Sequence, residues 1–170
     1  MSASELLNSF YDAVTETAEL SSEYKVCPEL DEVPVTVTKY DIKNGSKVGA
    51  DGIERPWFML ILTYAVDSQE AKEFLSRDEV TVNGSPIFLT VEETGTINLE
   101  RNQSLKRTLK VLDLVSDEPQ SNKEIMDSFI GAYATGRVTH RAMTDKEGNA
   151  LLSDEGEPRV QAEVSAIASA

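Results

Sequence analysis

In the segment Val33-Pro34-Val35-Thr36-Val37-Thr38-Lys39-Tyr40-Asp41-Ile42, three valines alternate with Pro34, Thr36, Thr38 and Tyr40. A period of two in a stretch rich in β-branched residues marks a strand with one buried face. Toward the C-terminus, Lys43 to Gly52 holds three glycines and little apolar surface, which predicts a long mobile loop. Trp57 to Val66 is apolar on both faces and predicts a central strand, and Gln69 to Ser76 a short helical turn. Val80 to Leu89 predicts a hairpin about Asn83-Gly84, the dipeptide that favours a type I′ turn, with Val91 extending its second strand. Leu105, Leu109 and Leu112 predict a helix over 102–114, and Ile125, Met126 and Phe129 a second short helix ending at Gly131. Ala134 to Ala142 and Arg159 to Ile167 alternate again, separated by polar turns at 144–149 and 153–158. The chain shows no internal repeat.

Toward the N-terminus the character changes. The first 32 residues hold eight acidic side chains against Lys25 alone. Leu6, Leu7, Phe10 and Val14 recur at helical spacing behind Ser4, so an amphipathic helix is expected over about 5–18, with a surface for a partner or for the body. Cys27-Pro28 and Val33-Pro34 interrupt helix, and residues 21–32 read as a linker. The expected organisation is an acidic helical arm and linker over 1–32, followed by one mainly β (α+β) domain over 33–170. About six strands and two or three short helices suit a small barrel or sandwich with a helix covering one end.

The 170 residues carry a formal charge of -14, with 40 % hydrophobic and 27 % charged residues. That is the composition of an ordinary globular protein. A single cysteine, Cys27, and a single histidine, His140, provide no metal-ligand spacing, so neither metal nor cofactor is expected. The longest apolar run, Trp57 to Leu62, is far short of a membrane span, and a cytoplasmic protein is expected. No Walker loop, GxSxG, GxGxxG or HExxH occurs, which argues against an enzyme. Paired acids such as Glu92-Glu93 read as solvated surface.

The distribution of charge carries more than its sum. Between Leu99 and Leu112, Arg101, Lys106, Arg107 and Lys110 face one acid, Glu100, and Arg137 and Arg141 share a strand face. Such cations serve either as partners for the many carboxylates or as a phosphate-tracking groove. Single-strand binding also requires exposed rings on which bases stack. Tyr40, Trp57, Phe58, Tyr64, Phe88 and Tyr133 are the supply, with Trp57 placed at the end of the glycine-rich loop.

Two motifs extend this reading: Asn102 followed by a leucine-spaced basic helix to Leu112, and Phe129-Ile130-Gly131 followed by a basic strand, an Asp145-Lys146-Glu147-Gly148 turn and a last alternating strand. In this layout, over about residues 33–168, the chain resembles small bacteriophage single-stranded DNA-binding and recombination-associated proteins with OB-like folds. It departs from them in an insertion at Asp67 to Glu93 and in lacking an acidic C-terminal tail. The resemblance implies an OB-like β-barrel with short covering helices that binds single-stranded DNA without sequence preference and without catalysis. Lys47, Arg55, Arg101, Lys106, Arg107, Lys110, Arg137 and Arg141 would then contact phosphates, with Tyr40 and Trp57 stacking on bases and the 43–55 loop closing over the strand. The alternative is a phage virion or assembly protein that oligomerises through Leu6, Leu7, Phe10 and Val14. A third reading, acidic mimicry of DNA, draws only on the total charge.

Overall fold

A computed structural model describes residues 2, 3 and 25–170. The expected N-terminal helix with Leu6, Leu7, Phe10 and Val14 lies outside the described residues. The remainder forms six strands and three α-helices: β1 Leu30–Val48, β2 Glu54–Val66, α1 Gln69–Leu75, β3 Thr81–Asn83, β4 Ile87–Leu89, α2 Gln103–Val111, α3 Asn122–Ser128, β5 Tyr133–Ala142 and β6 Val160–Ala168. A 3-10 turn, Leu99–Arg101, leads into α2.

The strands make one antiparallel sheet in the order β3-β2-β1-β5-β6, with β4 also paired to β2. The sheet curls until its ends meet at Gly84 and Val164, where the Ser85 N–H donates to the Val164 carbonyl at 3.1 Å. That junction is a single bridge rather than a ladder. The expected closed barrel is therefore corrected to a curled, mainly β sheet, closed at this point only.

Alternation fills the core as the sequence predicts at the start of β1, where Val33, Val35 and Val37 are buried. A bulge between Val37 and Lys39 then shifts the register, so that Tyr40 and Ile42, across from Leu62 and Leu60, take the core side. Simple alternation places Tyr40 on the other face, and the extra residue in the ladder is the reason it fails. Leu60, Leu62, Tyr64 and Val66 line the inner face of β2, and Leu105, Leu109, Ile125, Met126 and Phe129 close over them from the helices. Each fully buried aliphatic or phenyl group here contributes about 1.5–3 kcal/mol against exposure. The α3 helix starts at a capping box, with Ser121 and Glu124 satisfying each other's backbone N–H groups.

Three further expectations are corrected. The Lys43 to Gly52 segment is not a long loop: β1 runs to Val48 and β2 starts at Glu54, leaving a turn in which the Gly49 N–H bonds the Ile53 carbonyl at 3.0 Å. Ladder hydrogen bonds to Pro56–Phe58 organise a strand whose composition alone reads as coil. The Asn83-Gly84 hairpin is absent, because β3 and β4 do not pair with each other. Both run along the same edge of β2, Asn83 opposite Thr63 and Ile87 opposite Leu60, as one strand interrupted by a bulge. Gly84 is needed for close approach rather than for a turn: a Cβ there would lie 2.8 Å from the Tyr64 ring. Finally, Cys27 is buried and β1 begins at Leu30, so the described part of the expected linker packs onto the body.

One local device recurs. In Gly49-Ala50-Asp51-Gly52, Glu92-Glu93-Thr94-Gly95, Asp145-Lys146-Glu147-Gly148 and Ser153-Asp154-Glu155-Gly156, the glycine adopts positive φ, and its N–H bonds the carbonyl of the first residue. The first residue's N–H in turn bonds the carbonyl just past the glycine, the pattern of a three-residue hairpin turn with a glycine bulge.

Candidate nucleic-acid interface

The β1–β2 ribbon sorts its side chains by face. Because Leu60 and Leu62 point into the core, Trp57, Met59 and Ile61 point to the opposite side, beside Gly45 and Lys43 of β1. Trp57 sits directly across from Gly45, and a Cβ on that glycine would come within 2.7 Å of the indole Cζ2. The glycine thus lets the ring lie over the backbone of β1. On the other flank, β4 pairs Phe88 with Met59 and turns Ile87 and Leu89 inward. Phe88 is 69 % exposed. Trp57, Met59 and Phe88 line one open depression with Lys47, Arg55 and Pro56.

Cations border this apolar surface. Lys43 is opposite Met59, and Lys47 opposite Arg55. Neither lysine has an ion-pair partner among the described residues, whereas Arg55 makes two bonds to Asp51, at 3.0 and 2.5 Å. The Arg55 guanidinium and the Ile53 N–H hold the Asp51 carboxyl below the usual carboxylate range.

The other expected site residues are distributed elsewhere. Tyr40 is on the core side and gives its hydroxyl to Asp127 Oδ1 at 3.0 Å, so it does not join Trp57. On and before α2, Arg101 pairs with Glu92 at 3.3 Å and Lys106 with Glu100 at 2.6 Å, while Arg107 and Lys110 have no ion-pair partner among the described residues. Arg107 shares a cavity with Ile87, whose side chain points away from the Phe88 face. The α2 cations and the Trp57 surface therefore lie on opposite sides of the β2–β4 pair, and the single groove expected from sequence is corrected to two separate regions. On β5, Arg141 pairs with Glu163 at 3.6 Å and Arg137 is exposed.

The sequence reading missed Met59, Lys43 and the position of Phe88. The signal for Phe88 was present: once Ile87 and Leu89 are assigned inward, period-two alternation sends Phe88 outward. His140 is a structural residue here, with its Nε2 2.8 Å from the Cys27 carbonyl oxygen and its backbone N–H bonded to Glu29. Among the described residues no cluster of three or more His, Cys, Asp or Glu side chains could hold a metal, and no helix is long and apolar enough to cross a membrane. No protein-family model, curated protein or solved structure matches this chain at a significant level.

Proposed function

We propose that this chain binds single-stranded nucleic acid without sequence preference and without catalysis, on the outer face of the β1–β2 ribbon. One observation carries the reading: Trp57 and Phe88 present ring surface on the same exposed face, bordered by Lys43, Lys47 and Arg55. Rings stack on any base and cations track the phosphates, so affinity arises without base readout. The curled antiparallel sheet is compatible with an OB-like arrangement, and the resemblance of sequence layout to phage single-strand-binding proteins favours a cytoplasmic role in replication or recombination.

Charge sets the scale. Lys43 and Lys47, the two cations of this face without an ion-pair partner among the described residues, predict a slope of log affinity against log salt of about -1.4 for a single strand, and about -2 where Arg55 also leaves Asp51 for a phosphate. The test is fluorescence anisotropy of a labelled oligothymidine across a salt series, with Trp57 emission followed in parallel. Quenching of Trp57, together with a loss of roughly 5- to 100-fold in Trp57→Ala or Phe88→Ala, supports the reading. Absence of binding at low salt, or unaltered affinity in both variants, refutes it.

A second reading, an assembly protein of virion type, is favoured by a different feature. β5 covers β1 only as far as Thr36, so beyond Val37 that edge of β1 has no strand partner among the described residues. Unpaired edges accept strands from other chains. Asn44, opposite Phe58, turns its N–H to that free edge, so a concentration-dependent oligomer abolished by proline at Asn44, with no oligothymidine binding, would favour it.

A further inference from the structure

A second cavity lies on the other side of the β2–β4 pair, between α2 and the inner faces of β4 and β6. Its volume is about 340 Å³, at the lower end of small-molecule sites, roughly 300–1000 Å³. Leu62, Ile87, Val111 and Ile167 supply apolar wall, and Tyr64 and Arg107 supply polar groups.

Two of those polar groups lack partners. Tyr64 is only 4 % exposed, and its hydroxyl makes no hydrogen bond among the described residues. Because no fully enclosed side-chain polar atom there lacks a partner, the exposed sliver of Tyr64 includes the phenolic oxygen, and the cavity is what it opens onto. A hydroxyl on an otherwise buried side chain, open only to this cavity, is free to bond whatever occupies it. Arg107 is the second: it is exposed at the mouth of the cavity, and where Arg101 and Lys106 have carboxylate partners its guanidinium has none among the described residues, so it is free to meet an anion there. Ser85 adds little, since its hydroxyl is turned to Glu163.

We propose that this cavity binds a small organic anion of the nucleoside or aryl monophosphate class, its ring against Leu62 and Ile87 with a polar edge on the Tyr64 hydroxyl, and its phosphate on Arg107. The phenol stays protonated across the working pH range, because burial pushes its pKa up to about 12, and so it can donate to the ligand. The site is independent of strand binding on the ribbon, from which the β2–β4 pair separates it.

The experiment is a titration of the full-length, ¹⁵N-labelled protein with thymidine 5′-monophosphate, with thymidine and inorganic phosphate as separate probes. Saturable shifts at the Ser104, Arg107 and Val164 amides with a still Trp57 indole N–H, and at least about tenfold weaker binding of either fragment, are expected. Tyr64→Phe removes one oxygen that nothing in the described chain bonds, so the variant folds, and it should weaken the monophosphate about fivefold; Arg107→Gln should weaken it about tenfold. No shift at millimolar monophosphate overturns the proposal, as do shifts confined to Trp57 and Phe88, or wild-type affinity in Tyr64→Phe. Inorganic phosphate binding as tightly as the monophosphate overturns the organic part.

Discussion

Removing the Asn102 side chain should cost this protein a large share of its stability. Asn102 is 4 % exposed and stands between the 3-10 turn and α2. Its Oδ1 accepts from the Thr90 N–H at 2.7 Å, and its Nδ2 donates to the Thr90 carbonyl at 3.0 Å and to the Asn98 carbonyl at 2.7 Å. One amide thus substitutes for a missing ladder at the end of β4 and ties it to the start of α2. Three bonds at about 0.5–1.5 kcal/mol each give about 3 kcal/mol. Rehydration of the exposed Thr90 and Asn98 backbone lowers the loss for Asn102→Ala to about 2–3 kcal/mol. For a chain of this size that is a fall in Tm of roughly 5–10 °C. Asn102→Asp should lose more at neutral than at acidic pH, because a charged carboxylate would face two carbonyl oxygens while its protonated form can still donate to one. Thermal and urea unfolding followed by circular dichroism measures both. A loss under about 0.5 kcal/mol in Asn102→Ala, or an Asp variant that tracks wild type at every pH, would refute the reasoning.

Two further outcomes follow from the same geometry. Gly45→Ala places a Cβ 2.7 Å from the Trp57 ring, so the indole must swing outward; a red-shifted emission from the single tryptophan and a loss of about 1–2 kcal/mol are expected, and an unchanged spectrum would show that the ring does not lie over Gly45. Hydrogen bonds from Lys123 and from the Tyr40 hydroxyl hold the Asp127 carboxyl below its usual range. A lowered folded-state pKa gives stability that is present above the unfolded carboxylate pKa and lost as pH falls through the folded one. The gap in urea midpoint between wild type and Asp127→Asn should therefore close under acid, and it should be small because the pair is exposed. A gap that stays constant down through the acid range would count against the linkage.

Helices were the most legible elements in the sequence. Leucines at 105, 109 and 112 fall on the buried face of α2, and Ile125, Met126 and Phe129 on that of α3, because helical spacing acts within a few residues. The β1, β5 and β6 strands were legible for the same reason, each by its own alternation, and β2 by a run apolar on both faces. The errors cluster where a partner strand sets the outcome. Asn83-Gly84 has the local chemistry of a hairpin, yet β2 offers both flanking segments one continuous edge, and Gly84 serves the approach of Tyr64. Lys43 to Val48 has the composition of coil, yet it is extended by pairing with Glu54 to Met59 across the turn.

The candidate interface divides in the same way. Trp57, Lys47 and Arg55 were readable as a ring beside cations, because they follow one another closely along a turn and its flanks. Phe88 and Met59 joined them only through cross-strand pairing, and Tyr40 left them only through the bulge at Val37, which changes the face of every residue beyond it. Likewise the basic run on α2 is a property of the sequence, but its position across the sheet from Trp57, and the neutralisation of Arg101 and Lys106 by acids at 92 and 100, are properties of packing. Local periodicity and capping determine which segments are helix or strand, since they need only neighbouring residues. Which rings and charges share a surface depends on register between distant strands, and that is decided by burying the valines, leucines and Phe129 of the whole core at once.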